Sequence, residues 1–288
     1  MEVTTEPIIA VIGHPIAGNP TQFALETALE TAQIDARVLS LNLPDDRITA
    51  AIHGMAAMGF RGVWIDQSCR TAVQQVLNTS PLPLAGDDTD SASTKDSPLS
   101  GSLTCMDALG RSEDSGSSWH AECFRQSAWI DPAGRLLKEF GYSLQKILLI
   151  GKDPVRRAAI EQTLRDSHAS LGELAVGQIR QCEKLIPAID CGDINLVILT
   201  DDTDSDDLPL ADSFTNRQDI GLMVVDLGED LRLASIPTPQ KNTVFIDRVE
   251  VHSRSLVNAI HWWFKKELSG SEVPVDRIRD AIEEYLAL

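Results

Sequence analysis

Arg70 is a cation whose side chain could act on a small anion. It follows the apolar run Gly62-Val63-Trp64-Ile65 after a short polar stretch. A guanidinium stays protonated in proteins, so Arg70 cannot shuttle a proton, but it can hold a carboxylate or stabilise an oxyanion. The alternative is a surface cation at the start of a helix, and the sequence leaves both interpretations open.

His120 and Glu122 are the titratable pair that could transfer a proton. The imidazole of His120 changes charge near neutral pH, so it can act as a general acid or base. Glu122 supplies a carboxylate in the same short stretch. The alternative for His120 is an exposed side chain beside the serine-rich loop that precedes it.

A third candidate site begins at Gly151, where a strongly apolar run ends. Lys152, Arg156 and Arg157 follow and can attract phosphate groups. The pair Asp153-Pro154 predicts a helix N-cap and the first helical residue, a role that needs no ligand. Arg157 has the alternative of a position on the helix surface.

The elements that must position Arg70 form a strand–helix–strand–helix–strand series. Apolar and helical patterns predict strands over 8–12, 36–43 and 62–65, with helices over 23–34 and 45–58 and a further helix over 71–77. This order predicts a mostly parallel sheet, and α/β proteins place ligands at the carboxyl edge of such a sheet. Gly13 and Pro15 end the first strand at that edge.

A second α/β unit is predicted from residue 128 onward. Its strands are expected over 146–151, 174–176, 194–199 and 222–227, with helices over 132–140 and 154–166. Residues 249–288 have helical patterns interrupted at Gly270. Trp262-Trp263-Phe264 predicts packing in the core or at a domain seam, with a homodimer contact as the alternative.

Composition narrows the function classes. The chain has 288 residues and a net charge of −18, and its five cysteines have no C-x-x-C spacing. An acidic surface repels nucleic acid and anionic membrane, and no apolar run is long enough to span a bilayer. We therefore expect a cytoplasmic protein with reduced thiols. Residues 85–118 are rich in acids and poor in apolar groups, which predicts flexible loops around a short strand over 103–109.

The turn Gly13-x-Pro15-Ile16 and the later Gly59-x-x-Gly62 turn before a strand resemble shikimate dehydrogenases. The resemblance implies an α/β protein of two domains, with a mixed or parallel sheet in the substrate domain and a Rossmann-like NAD(P)-binding domain. The expected boundaries are 1–122 plus 247–288, and 123–246. The family reaction is the reversible NADPH-dependent reduction of 3-dehydroshikimate to shikimate, in aromatic amino acid biosynthesis. A small anionic ligand would lie in the cleft between the domains.

The same resemblance assigns roles to particular residues, several of which depart from the family pattern. Arg70 stands at the catalytic lysine, and Glu122 stands at the aspartate of an Asn-Thr-Asp motif. The implied substrate-binding residues are Asn19 and Thr21 at the serine pair, Thr104 at an asparagine, and Ser255 at a glutamine.

The cofactor loop departs furthest from the family pattern. The family has Gly-Ala-Gly-Gly-Ala, whose glycines let the backbone approach the pyrophosphate, and here only Gly151 remains. Asp153 puts negative charge at the phosphate end, and Pro154 removes an N–H donor. Arg180 lies after the position of the Asn-Arg-Thr that holds the 2′-phosphate. NADP is thus the cofactor that the resemblance implies and that this loop disfavours.

Two hypotheses follow from this conflict. The first is a divergent oxidoreductase in which Glu122 or His120 carries the proton and Arg70 acts as an electrostatic clamp. The second is a non-catalytic relative that binds a small anion or a protein partner, because a fold does not carry its function with it.

Overall fold

The computed structural model describes nine stretches of the chain in two compact units. The first unit is Met1–Phe124 with Ser255–Leu288, and the second is Arg125–Arg254. The domain boundaries predicted after residues 122 and 246 lie on the amino-terminal side of the unit boundaries, which fall after Phe124 and Arg254. The described residues are 6–79, 106–111, 119–140, 146–167, 179–182, 194–200, 222–231, 243–268 and 272–287.

The first unit contains a mixed sheet in the order β2-β1-β3-β4-β5. Strands β1, β2 and β3 are parallel, whereas β4 runs antiparallel to both β3 and β5. The predicted strand over 103–109 is shifted: β4 extends to Arg111, residues 103–105 lie outside the described residues, and β5 was not predicted. The strands are β1 (Ile8–Gly13), β2 (Arg37–Asn42), β3 (Gly62–Ile65), β4 (Ala108–Arg111) and β5 (Trp119–Glu122).

Helices in the first unit begin close to the predicted positions, with one exception that matters for the site. Helix α3 starts at Gln67 rather than at residue 71, so Arg70 lies in its first turn. A cluster of buried apolar side chains packs the helices against the first sheet, and it includes Ile12, Ile52, Val63 and Trp119. The helices are α1 (Thr21–Thr31), α2 (Asp45–Ala57) and α3 (Gln67–Thr79).

Two glycines in the first sheet make room for indole rings from the carboxyl-terminal segment. A Cβ on Gly62 would lie 2.4 Å from Trp263, and one on Gly110 would lie 2.7 Å from Trp262. The indole N–H of Trp263 donates to the carbonyl of Leu109 at 2.9 Å. Trp263 is therefore a core residue of this unit, as the packing interpretation of the Trp-Trp-Phe run predicted.

The second unit contains a parallel sheet in the order β10-β9-β8-β6-β7. Its central strands are continuous apolar runs buried on both faces, as expected where helices cover a parallel sheet. The predicted strand over 174–176 lies outside the described residues. The strands are β6 (Ile147–Ile150), β7 (Ile179–Cys182), β8 (Leu196–Leu199), β9 (Leu222–Asp226) and β10 (Thr243–Ile246).

Four more helices complete the described structure. They are α4 (Ile130–Phe140), α5 (Pro154–Asp166), α6 (Arg248–Trp263) and α7 (Val275–Ala287). Helix α7 contacts α1 in the first unit, where Tyr285 and Phe23 have ring centroids 6.2 Å apart. None of the described helices is long and apolar enough to cross a membrane.

Candidate functional site

Asp66 organises the carboxyl edge of the first sheet. It follows β3 directly, and its backbone N–H donates to Ile12 at the end of β1. Its carboxylate accepts from the side-chain amide of Asn19 at 2.9 Å and from the hydroxyl and backbone N–H of Ser68 at 2.6 and 3.0 Å. Gly13 lets this carboxylate come close, since a Cβ there would lie 3.0 Å from the Cβ of Asp66.

His14 and Asn42 extend this hydrogen-bonded arrangement along the carboxyl edge of the first sheet. The backbone N–H of His14 donates to the hydroxyl of Ser68 at 2.8 Å, and its ring nitrogen Nδ1 lies 3.1 Å from the amide oxygen of Asn42. The peptide bond between His14 and Pro15 is cis. We call these five residues the Asp66 network: Asp66, Asn19, Ser68, His14 and Asn42.

The predicted substrate-binding pair, Asn19 and Thr21, is already bonded within the protein. The side chain of Asn19 donates to Asp66 and accepts from the backbone N–H of Thr21 at 2.9 Å, so both ends of its amide have partners. Thr21 is only 1% exposed. Holding an incoming carboxylate would therefore require Asn19 to exchange its bond to Asp66 for one to the ligand.

Arg70 is bonded to a buried carboxylate that the sequence did not single out. Its Nη2 lies 3.0 Å from Oδ1 of Asp107, and its Nε donates to the carbonyl of Met106 at 2.7 Å. The two side chains are 12% and 1% exposed, respectively. The thiol of Cys123 donates to the other oxygen of Asp107 at 3.7 Å. A buried carboxylate needs such partners, so the charge of Arg70 is offset inside the protein.

Glu122 and His120 lie on β5, opposite Ala108 and Gly110 of β4. Desolvation raises the pKa of Glu122 above its ordinary value, while the charge of His120 and the N–H of Cys123 act in the opposite direction. A raised pKa brings a carboxyl group closer to the range where it can donate a proton near neutral pH. Both residues thus remain candidates for acid–base chemistry.

Two further substrate-binding residues were predicted, Thr104 and Ser255. Thr104 lies outside the described residues. Ser255 is fully buried, within α6. A buried hydroxyl can stabilise the helix or its packing but cannot contact a ligand from solvent without rearrangement.

In the second unit, Asp153 occupies the helix end at which a dinucleotide phosphate would bind. It is the N-cap of α5, and its Oδ1 accepts from the backbone N–H groups of Val155 and Arg156 at 2.8 and 3.3 Å. Pro154 stands at the first helical position. The predicted cap is confirmed, and these N–H donors already have an internal anion.

Two of the three cations predicted to attract phosphate are bonded to acceptors within the protein. Arg156 pairs with Glu229 at 2.7 Å and donates to the carbonyl of Leu227, and the paired side chains are 13% and 6% exposed. Arg157 donates to the carbonyl of Gly151 and to Gln181, and is 9% exposed. Lys152 is exposed. Arg180 lies within β7 rather than in the loop after it.

Two buried polar pairs lie near the carboxyl end of β9. Arg248 contacts Asp226 at 2.7 Å, with both side chains 1% exposed. A guanidinium nitrogen of Arg125 lies 2.7 Å from Nδ1 of His252. Burial, and secondarily the charge of Arg125, hold the pKa of His252 well below its ordinary value, although Glu229 opposes this shift. The paired groups are thus bonded within the protein without a ligand.

These residues do not fit an NADP pyrophosphate in the family manner. The N–H donors of α5 are capped by a carboxylate, and Arg156 and Arg157 are held by internal acceptors. An anionic ligand at this helix end would face the charge of Asp153. Among the described residues, no group of His, Cys, Asp and Glu is arranged to hold a metal ion.

The two units together define an α/β protein with a mixed first sheet and a parallel, Rossmann-like second sheet, and this is the shikimate dehydrogenase fold. A shikimate dehydrogenase from Aquifex aeolicus superposes with a TM-score of 0.65 at 12% identity, covering 98% of this chain and 99% of that one. The enzyme from Thermus thermophilus, in complex with NADP(H) and shikimate, gives 0.62 at 16% identity, covering 97% and 99%.

The same fold is found in an enzyme with a different name. A 5-ketofructose reductase of a Gluconobacter species superposes with a TM-score of 0.61 at 13% identity, covering 98% of this chain and 99% of that one. Neither a protein-family model nor a curated protein matches the sequence. At these identities the likeness establishes the fold alone.

Sequence reasoning missed the two aspartates that organise the first site. A signal for Asp66 was present, because it follows the last apolar residue of β3 at the ligand-binding edge. Asp107 is one of the acids of the segment 85–118, whose composition predicts flexible loops around a short strand. Its neighbours Met106, Ala108 and Leu109 are apolar, and a single acid inside an apolar run is a sign of a buried, paired carboxylate.

Proposed function

We propose that this chain binds a small polar molecule at the carboxyl edge of the first sheet and does not carry out NADP-dependent hydride transfer. The observation that carries the second part is the cap of α5, in which the Asp153 carboxylate accepts from the N–H groups of Val155 and Arg156. The Asp66 network supports the first part, because it gathers several hydrogen-bonding groups where α/β proteins bind ligands.

Titration of NADPH fluorescence against the protein tests the absence of cofactor binding. We expect no saturable change up to millimolar NADPH, whereas a shikimate dehydrogenase with an intact glycine-rich loop, titrated alongside, should saturate. Saturable binding well below millimolar concentration would contradict the proposal. Titration calorimetry with shikimate, in the absence of nucleotide, then tests whether the first unit binds a small molecule by itself.

The second candidate function is the family reaction, NADPH-dependent reduction of 3-dehydroshikimate. Its support is the fold shared with an enzyme solved with NADP(H) and shikimate, together with the raised pKa of Glu122 beside His120. Shikimate-dependent formation of NADPH, compared between wild type and Glu122→Gln, is the direct assay. Turnover in wild type that falls at least about tenfold in the variant would favour this candidate.

The cytoplasmic location and the homodimer remain predictions from sequence.

A further inference from the structure

The Asp66 network carries a negative charge that no cation offsets among the described residues. The partners of the Asp66 carboxylate are neutral donors, the amide of Asn19 and the hydroxyl and N–H of Ser68. Asp66 is partly exposed. The described partners of this carboxylate therefore bring no positive charge to the carboxyl edge of the first sheet, where a ligand would bind.

The guanidinium at this edge does not compensate for that charge. Arg70 is only 12% exposed and its Nη2 lies 3.0 Å from Asp107, so the pair is close to neutral as a unit. The whole chain has a net charge of −18, which adds no general attraction for an anion. A ligand carboxylate would thus meet repulsion from Asp66, and no described residue pairs a cation with Asp66 to balance it.

The same carboxylate retains hydrogen-bonding capacity for a hydroxyl. An ionised carboxylate has about four acceptor positions. In Asp66, Oδ1 accepts from two groups of Ser68 and Oδ2 accepts from Asn19. One position on Oδ2 is left for an O–H donor, and the amide oxygen of Asn42 and the exposed ring of His14 lie on the same network.

We propose, on the basis of the proposed function, that the ligand of this edge is an uncharged polyhydroxylated molecule, such as a sugar or a cyclic polyol without a carboxylate. Its hydroxyl groups donate to Asp66, and its lack of charge avoids the repulsion that an acid would meet. This proposal differs from the anionic ligand that the family resemblance implies.

The magnitude of the preference follows from Coulomb repulsion. Two like charges about 4 Å apart weaken binding by about fivefold in a water-like dielectric, and by about a thousandfold at the effective dielectric constant of a protein surface. A neutral ligand should therefore bind at least about fivefold more tightly than its acid of the same shape. This repulsion is screened by salt, so the ratio should shrink as ionic strength rises.

The test compares shikimate with its uncharged methyl ester by titration calorimetry on the full chain. We expect the ester to bind at least about fivefold more tightly at low salt, with the ratio falling at high salt. Shikimate binding as tightly as the ester, or more tightly, would overturn the inference while leaving the proposed function intact. Binding of neither compound would instead remove the proposed function, and the inference with it.

Two variants separate the local charge of Asp66 from the total charge of the protein. Asp66→Asn should reduce the preference for the ester, provided that circular dichroism shows a folded chain. Asp46→Asn makes the same charge change on the exposed surface of α2, where the Asp46 side chain is 75% exposed, and should leave the preference unchanged. An equal reduction in both variants would contradict a local role for Asp66. If Asp66→Asn does not fold, the salt dependence in wild type decides the question.

Discussion

Replacing Arg70 by methionine should destabilise the first unit by about 3 kcal/mol or more, because it leaves a buried carboxylate without its cation. Asp107 is only 1% exposed, and the contact between Nη2 and Oδ1 is 3.0 Å. Removing one partner of a buried ion pair typically costs about 3–5 kcal/mol. Loss of the bond from Nε of Arg70 to the carbonyl of Met106 adds about 1 kcal/mol. Because Arg70 is partly exposed, we expect the loss of unfolding free energy to lie toward the lower end of this range, near about 3 kcal/mol.

The double variant Arg70→Met with Asp107→Leu should be much closer to wild type than the sum of the two single variants. Replacing both members of a buried pair by apolar groups is often neutral or stabilising. The interaction energy of the double-mutant cycle should then reach about 1–3 kcal/mol. Arg47→Met is the control, because Arg47 and its partner Asp46 are 73% and 75% exposed, and we expect only a small effect there.

Urea unfolding followed in parallel by tryptophan fluorescence and circular dichroism measures these free energies. Coincident transitions from the two signals are needed before a single unfolding free energy is assigned. An Arg70→Met variant that loses less than about 1 kcal/mol, or a double variant that loses the full sum, would refute the account of a buried pair. The result also matters for enzymology, since lost activity in an Arg70 variant identifies a catalytic group only if the variant is folded.

Three further predictions concern packing, pH and thiol chemistry. Gly62→Ala should cost about 1–3 kcal/mol in urea unfolding, because the new Cβ would lie 2.4 Å from Trp263, whereas Gly54→Ala, with nothing within 4 Å, should be neutral or stabilising. Because the folded state lowers the pKa of His252 from 6.5, the unfolded chain binds that proton first, and stability should fall as the pH drops below about 6.5. His252→Gln should remove the part of the pH dependence of the unfolding free energy that His252 causes, which is at most about 1.4 kcal/mol per pH unit. An unchanged pH dependence in this variant would contradict the prediction. Burial raises the pKa of Cys69 to about 11, so Cys69→Ser should not reduce the number of thiols that react rapidly with Ellman's reagent at neutral pH.

Local signals in the sequence were sufficient for the elements that depend on neighbouring residues. The continuous apolar run of Ile147–Ile150 predicted a buried strand, and all four residues are buried. The pair Asp153-Pro154 predicted the start of α5, and the cap geometry agrees. These features were predictable because their physical cause lies within a few residues of sequence.

The features that sequence reasoning missed depend on contacts between distant residues. Strand β5 has only four residues and alternates weakly between apolar and polar groups, so its pairing with β4 decides its conformation. The contact between Arg70 and Asp107 likewise requires the antiparallel placement of β4 beside β3. The bond between Arg156 and Glu229 joins α5 to the loop after β9. None of these pairings leaves a periodic pattern in the sequence.

The two candidate sites differ in whether their polar groups are already satisfied without a ligand. At the start of α5, Asp153 provides the negative charge that a phosphate would otherwise bring, so the helix end gains nothing from an additional anion. At the carboxyl edge of the first sheet, the described partners of the Asp66 carboxylate are neutral donors, and its side chain is partly exposed. A partly exposed carboxylate exchanges bound water for a ligand hydroxyl at little cost. For this reason we propose that a small molecule binds in the first unit and that a nucleotide phosphate does not bind in the second.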